Sequence, residues 1–429
     1  MGLCGAHNVC KRFSSSIYNL EFSIHPSLFA TDNDTLQRMA FWIMALVAVL
    51  WCGMAAHIFR SLRGTTILRA NQPLSPLESF PKVSIIIAAR NEEEALPAAL
   101  ESILALEYPD FEIVLVDDDS RDRTGAIADD WAANPAAGGR LKVLHNRRLP
   151  PDWHGKVHAL QLAASAASSE WILATDADIV FHPSILRVAM SCALERGVPF
   201  LSILPELELG TFWERVVLPA FSFLLTVLFP LHRVNDPSCS RALASGAFIL
   251  MKREDLHAVG GYARLRNVLI EDLRMAELFK RHGRHIYLAA SRGLFHTRMY
   301  SSAGEMFEGL SRTAFEGSGF SVPKILGAMF LANLLSVFPW VALAARILRG
   351  LSGSNAFHDP TLYLALLTCA LASLVYLPFV YYSRLPVLYV FTLPLATLFY
   401  SCVALNSVVA SLVGGGVPWK GRRYRAPGE

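Results

Sequence analysis

Trp171-Ile172-Leu173-Ala174-Thr175-Asp176-Ala177-Asp178 is the stretch on which the fold turns. The apolar run reads as a buried strand, and it stops where two carboxylates begin. Both acids then stand at the carboxyl edge of a sheet, where open α/β sheets bind ligands. Two carboxylates this close share a site when a cation lies between them or when their pKa values split. A hard divalent ion bridging the phosphates of a nucleotide is one such cation. Asp-x-Asp also occurs in plain turns, so the pair takes its meaning from its surroundings.

Upstream the same pattern repeats. Val83-Ser84-Ile85-Ile86-Ile87-Ala88 is a β-branched run that leads into Ala89-Arg90-Asn91-Glu92, and a helix is expected from Asn91 to Leu106. Phe111 to Val116 reads as a second strand ending in Asp117-Asp118-Asp119-Ser120. A helix over Gly125–Ala133, a strand over Leu141–Leu144 and a helix over Lys156–Ala167 then return the chain to Trp171. Strands alternating with helices of this length predict an α/β fold with a mostly parallel sheet and right-handed crossovers. Three polar loops therefore fall on one ligand-binding edge. One such loop would be explained by helix capping, and Asp119 or Ser120 is expected to act as a cap. Three in register ask for more than that.

Two further segments point to the same edge. Pro150-Pro151-Asp152-Trp153-His154-Gly155-Lys156 puts Gly and Lys at a helix N-terminus, which favours anions. Lys156 is there either a phosphate contact or a solvated surface lysine. Ala244-Ser245-Gly246-Ala247 leads into another strand, and Ile270-Glu271-Asp272-Leu273 opens a helix in an apolar setting. The helix dipole favours the ionised form of a carboxylate placed so. That suits a proton acceptor, although an ordinary acidic first turn has the same appearance.

With 53% apolar residues and a mean hydropathy of +0.36, the chain of 429 residues is too apolar for an ordinary soluble enzyme. The excess lies in Met39–Phe59 and in three C-terminal runs, roughly Ile325–Ile347, Thr361–Tyr382 and Val387–Leu412. Each approaches the ~20 residues that cross a bilayer as a helix, so an integral membrane protein is expected. Arg60, Arg63 and Arg69 follow the first run while Asp32 and Asp34 precede it, which places everything after Phe59 in the cytoplasm. The first 38 residues fit no signal peptide. They read as a short extracytoplasmic tail, or as an over-extended start with Met39 as the initiator.

Phe212 to Leu231 is also apolar but is interrupted by Pro219 and Pro230. Asp178 and Asp272 flank it and must meet on one side of the membrane. The stretch is therefore read as an interfacial segment, with a buried core helix as the alternative. Four full spans would leave the tail opposite this domain, yet Lys420, Arg422, Arg423 and Arg425 argue for the cytoplasm. One C-terminal segment is thus expected to be re-entrant or interfacial. The net charge of +3 says little about nucleic acid, since the basic residues are scattered rather than striped, and no nucleic-acid partner is expected. Seven cysteines without a Cys-x-x-Cys pair suggest reduced thiols and no zinc site.

Taken in order, Val83 to Glu92, Val116 to Ser120, Gly155-Lys156 with Ala159-Leu160, Asp176-Ala177-Asp178, Ser245-Gly246-Ala247 and Glu271-Asp272 resemble the family 2 glycosyltransferases of GT-A fold. The resemblance spans about Pro81 to Phe320, and the ordered set is far more specific than any one motif. Within the family the chain looks most like the membrane-bound hopene-associated glycosyltransferases, which share the Pro-Pro-x-Trp-x-Gly-Lys segment. It is similar in plan to ceramide glucosyltransferases. Both groups tend to end in a tail like Trp419-Lys420-Gly421-Arg422-Arg423-Tyr424.

The resemblance implies a membrane-bound inverting enzyme that moves a sugar from a nucleotide-sugar donor, by analogy a UDP-sugar, to a lipid hydroxyl. It implies that Ala89, Glu92 and Asp118 hold base and ribose and that Lys156 contacts base or diphosphate. Asp176 and Asp178 would bind ribose and a Mg²⁺ or Mn²⁺ ion, with Asp178 the direct ligand, and Asp272 would be the general base. Glu271, Arg312 and Trp419 are candidate diphosphate or acceptor contacts. The implied layout is a tail over 1–38, a span over 39–60, a GT-A domain over 81–320 with its interfacial segment at 212–231, a membrane region of two or three spans over 325–412, and a basic tail over 413–429. The setting implied is a bacterial inner membrane. A hopanoid acceptor follows from the nearest resemblance, with sphingolipid or polyprenyl phosphate as alternatives.

One departure bears on product. Processive members carry Gln-x-x-Arg-Trp after the catalytic acid, where this chain has Ser311-Arg312-Thr313-Ala314-Phe315. A polymer synthase is therefore not expected. A nucleotidyltransferase would begin with a Gly-rich phosphate loop, which Ala88-Ala89-Arg90-Asn91 does not offer. A catalytically silent scaffold would need none of Asp176, Asp178 and Asp272.

Overall fold

The computed structural model describes residues 33–73, 79–317, 321–352, 358–413, 417–419 and 422–424. Helix α1 (Asn33–Arg63) leads into β1 (Ile67–Arg69). The expected alternation follows: β2 (Val83–Ala89), α2 (Leu96–Leu104), β3 (Phe111–Asp117), α3 (Thr124–Ala133), β4 (Leu141–His145), α4 (Gly155–Ala166) and β5 (Trp171–Asp176). Next come β6 (Val180–Phe181), α5 (Ile185–Glu195), β7 (Phe200–Leu204), β8 (Glu206–Leu207), α6 (Phe212–Leu228) and α7 (Leu231–Val234). They are followed by β9 (Ile249–Lys252), α8 (Arg253–Ala258), α9 (Glu271–Arg281), β10 (Ile286–Arg292) and β11 (Phe295–Thr297). The chain ends in α10 (Ala303–Gly317), α11 (Val322–Ser336), α12 (Phe338–Leu351), α13 (Pro360–Tyr382), α14 (Leu393–Val413), β12 (Val417–Trp419) and β13 (Arg422–Tyr424).

Eight strands form one sheet in the order β1-β10-β7-β9-β5-β2-β3-β4. Only β9 runs against its neighbours. The sheet is thus mostly parallel, as the alternation predicted. Its central strands β2, β3 and β5 are buried almost throughout because both faces are covered. Ile85 and Ile87 face α2 and α5, while Ile86 shares the opposite core with α4, Met275 and Phe279. Each is fully buried, so truncating Ile86 to Ala would cost about 2–5 kcal/mol.

Helix α2 begins at Leu96 rather than Asn91. Asn91 is in the left-handed region with φ 52°, and Pro97 occupies the first helical turn. The loop after β2 is therefore longer than expected, which leaves Glu92 free of the helix.

The apolar helices pack into a separate body against one side of this domain. Three of them are long and apolar enough to cross a membrane: Thr35–Arg63, Pro360–Tyr382 and Val387–Ala410. Helices α11 and α12 form a fourth candidate, bent by 40° at their junction. The first helix starts at Asn33, so Met39 lies inside it; residues 1–32 are outside the described residues.

Helix α6 starts with a capping box, the Thr211 hydroxyl accepting from the Glu214 amide and the Glu214 carboxylate accepting from the Thr211 amide. It lies across the apolar helices rather than alongside one of them. Its Trp213 meets Phe399 of α14, its Phe223 meets Tyr376 and Phe379 of α13, and the carbonyl of Val227 accepts from His57 of α1. The contacts on α1 and α13 fall near the ends that abut the sheet domain.

Those ends are tied to the domain by polar contacts. The Tyr382 hydroxyl donates to the Ser291 carbonyl at 2.6 Å, Arg384 pairs with Glu206 at 2.9 Å, and the Leu231 amide donates to Ser61 Oγ at 3.0 Å. Helix α12 runs away from that side, since its Arg346 pairs with Asp359 at the start of α13. Helix α14 is antiparallel to α11: Thr397 bonds Ser336, Ser401 bonds Asn333, and Ala404 and Val408 pack on Ile325. Because α11 and α12 run on from the domain, α14 heads back toward it.

Candidate active site

Parallel register places the loops after β2, β3 and β5 side by side. Ala88 lies opposite Asp176, and Ala89 opposite Asp117. The expected three-loop edge is therefore present.

On one side of the edge sits Asp118, buried and held from three directions. Its amide donates to the Ala89 carbonyl at 2.9 Å, Asn146 Nδ2 donates to its Oδ1 at 2.7 Å, and Arg90 donates to its carbonyl and stands 3.8 Å from its carboxylate. Neither Arg90 nor Asn146 was singled out from the sequence. Asn146 follows β4, and only the register of Asp117 against His145 reveals that it reaches Asp118.

The neighbouring Asp117 has a structural task. Burial pushes its carboxyl up, but hydrogen bonds from Ser120 and His145 and the charge of Arg147 hold it below the usual range. Asp119 and Ser120 do not cap α3, contrary to expectation. An extra turn separates them from the helix, and the Thr124 amide donates instead to Asp122 at 3.0 Å. Ser120 Oγ accepts from the Asn91 amide at 3.1 Å, and Thr124 Oγ1 accepts from the Glu92 amide at 2.7 Å. These bonds tie the first two loops together.

Three segments converge in the middle of the edge. Lys156 Nζ, in the first turn of α4, lies 2.7 Å from Asp176 Oδ1 and 2.5 Å from Glu271 Oε1. Burial alone would lower the lysine pKa, yet the charges of Asp176 and Glu271 raise it well above its ordinary value. Lys156 is therefore a fixed cation and not a loose surface lysine. Gly246 sits against this group: a Cβ there would lie 3.4 Å from Asp176 Oδ2, 3.5 Å from Lys156 Nζ and 3.6 Å from Asp272 Oδ2. Thr175 Oγ1 donates to the Ala247 carbonyl at 2.9 Å and pins that loop to the end of β5.

Asp272 occupies the first turn of α9. Its Oδ2 accepts from the Gly246 amide at 2.9 Å and its Oδ1 from the Leu273 amide at 2.7 Å. Burial, and then the charge of Glu271, raises its carboxyl to about 6, with Lys156 opposing the rise. A carboxyl in that range is a competent base at neutral pH.

Asp178 lies just past β5 and is open to the cleft. Desolvation by the surrounding protein, and then the charges of Asp176 and Glu92, lifts its carboxyl to about 6. Among the described residues no group of three or more His, Cys, Asp or Glu is arranged to hold a metal ion by itself. Asp178 with Asp176 does fit a hard cation that completes its shell from water and substrate oxygens, as Mg²⁺ commonly does.

Glu271 is turned to Lys156, its Oε1 lying 2.5 Å from Nζ. Arg312 lies on α10 and Trp419 on β12, but both side chains are outside the described residues. For Asn146→Ala we expect Asp118 to lose its best side-chain donor. Such a bond to a charged group contributes about 1.5–3 kcal/mol, so nucleotide affinity should fall about tenfold or more in calorimetry.

Residues 84–256 match the profile of glycosyl transferase family 2. The 4,4'-diaponeurosporenoate glycosyltransferase of Staphylococcus haemolyticus (strain JCSC1435) is 26% identical over 272 residues, 62% of this chain and 70% of its own. That of Staphylococcus aureus (strain MRSA252) is 24% identical over 350 residues, covering 80% and 88%. Among solved structures, mannosyltransferase PcManGT from Pyrobaculum calidifontis, in complex with GDP-Man and Mn2+, is 20% identical, covers 84% of this chain and 99% of its own, and has a TM-score of 0.47.

Proposed function

We propose, from the premise that residues 84–256 are a family 2 glycosyltransferase domain, that this glycosyltransferase moves a sugar from a nucleotide-sugar donor to a lipid acceptor with inversion at the anomeric carbon. The observation that carries the reading is the convergence of Asp176, Lys156 and Asp272 around Gly246. Asp118, with Ala89 and Glu92 beside it, would receive the nucleoside. Lys156 would stand by the diphosphate. Asp272 would take the proton from the acceptor hydroxyl as that oxygen attacks and the nucleoside diphosphate departs. With Asp272 as the base, a single displacement at the anomeric carbon follows.

Asp178, assisted by Asp176, would hold a Mg²⁺ or Mn²⁺ ion, which supplies Lewis-acid neutralisation of the leaving diphosphate. A nucleoside diphosphate and Mn²⁺ together should then raise the thermal midpoint of the purified protein, while either alone does much less. Asp178→Asn should abolish the joint effect. Equal stabilisation of wild type and variant would remove Asp178 from the metal site.

The lipid acceptor is supported by α6, which lies across the apolar helices and leads straight from the sheet domain. Catalytic domain and basic tail would share the cytoplasmic side, since α14 heads back toward the domain. A UDP-sugar and a hydroxylated hopanoid are the first substrates to try. The staphylococcal relatives are named for 4,4'-diaponeurosporenoate, a carboxylate, which would arrive already ionised and need no base. The size of the Asp272→Asn effect separates a hydroxyl acceptor from that alternative.

A further inference from the structure

Away from the catalytic cleft, a cavity of about 300 Å³ opens where the end of α1 meets the end of α6. His57 and Arg60 line it from α1, and His232, Arg233 and Arg241 from the segment after α6. None of its lining residues is acidic. Asp176, Asp178, Lys156 and Asp272 take no part in it. Two segments about 170 positions apart in the chain thus bring three guanidinium groups and two imidazoles around one space.

The three arginines are exposed, so an anion bound there would add charge pairing to groups that water otherwise solvates. Among the described residues no carboxylate pairs with Arg60, Arg233 or Arg241; Arg241 spends one donor on the Leu228 carbonyl. The nearest acid, Asp236, directs its carboxylate to Ser238 at 2.7 and 2.9 Å. His232 Nδ1 is buried with no hydrogen-bond partner. Burial, then the charges of His57, Arg233 and Arg60, lower the His232 pKa from its ordinary value, with the charge of Asp236 opposing. Basic residues that merely flank a membrane span need no cavity and no convergence of this kind.

We propose that this cavity binds the phosphate group of an anionic ligand. Its position points to a phospholipid headgroup. Arg60 lies in the last turn of a helix long and apolar enough to cross a membrane, and Val227 and Pro230 line the cavity beside the basic groups, so acyl chains would continue along apolar surface. Guanidinium pairs are the natural partners of phosphate oxygens.

The test uses the full chain in detergent, titrated with short-chain phosphatidylglycerol, with phosphatidylcholine, and with inorganic phosphate, while thermal stability is read. Phosphatidylglycerol should stabilise the wild type more than phosphatidylcholine does. The double variant Arg60→Gln/Arg233→Gln should need about 30-fold more of it, at roughly tenfold per 1.4 kcal/mol and about 1 kcal/mol for each basic residue removed. Should the double variant not fold, Arg233→Gln alone, at an exposed position, should still show about a fivefold change. Inorganic phosphate reproducing the effect would assign the site to free anions; its failure to do so would assign it to a headgroup. Identical titrations for wild type and variants, or equal responses to the two lipids, would overturn the proposal.

Discussion

Replacing Asp272 by Asn should lower turnover by about 10²–10⁴-fold, the range that a positioned general base contributes, while leaving donor affinity within a few-fold of wild type. The amide keeps the shape of the carboxylate and can still accept from the Gly246 amide, so the fold around the cleft should survive. Only proton acceptance is lost. The pH profile makes the same point. Asp272 is raised to about 6, and its useful form is the ionised one. The rate should therefore climb as pH rises through about 6 and flatten above it. The variant should lack that acid limb. An acceptor that binds already ionised would give a small effect instead, which is why the magnitude matters as much as the direction.

Lys156→Met should have the second largest effect, and of a different kind. Lys156 is the shared partner of Asp176 and Glu271, and it is mostly enclosed. Removing one partner of a buried charge cluster typically costs about 3–5 kcal/mol, and partial exposure here favours the lower end. With the cation gone, three carboxylates crowd one space and Asp272 loses the charge that opposes its upward shift. The acid limb of the rate should move to higher pH, and diphosphate affinity should fall about 100-fold. Lys156→Arg, which keeps the charge but not the fit between two carboxylates, should recover stability better than activity. A variant with unaltered pH profile would show that Lys156 does not act on Asp272.

Much of this site could be read from the chain, because the fold writes it at strand ends. Asp176, Asp178 and Asp118 each close an apolar run, so their place on the ligand edge followed from local pattern. Arg90 and Asn146 escaped notice for a physical reason. Their purpose is defined by neighbours across β2, β3 and β4, and single-sequence periodicity carries no information about register. Strands β7 and β10 were not anticipated either. Phe200–Leu204 and Ile286–Arg292 are short runs that do not close on an aspartate as β3 and β5 do. Helix α2 began late because a residue at φ 52° and a proline in its first turn extend the preceding loop.

The membrane half was legible by length but not by direction. Hydropathy finds apolar helices, yet it cannot tell a helix that crosses from one that turns back. For α14 the answer came from contacts: Thr397 to Ser336 and Ser401 to Asn333 fix it antiparallel to α11. The segment from Val387 to Val413 packs against α13 and α11, and its helix α14 runs antiparallel to α11.

The measurement that bears most directly on the central claim is transfer of label from nucleotide sugars into organic-extractable lipid. Detergent-purified wild type and Asp272→Asn would be run side by side with Mn²⁺, using total bacterial lipid and then a hydroxylated hopanoid, with nucleotide binding measured on the same preparations. The account predicts label in the lipid fraction with wild type, its near absence with Asp272→Asn, and comparable nucleotide binding by both. Undiminished transfer by Asp272→Asn would contradict the assignment of the base, and absence of both transfer and nucleotide binding in the wild type would contradict the proposed reaction itself.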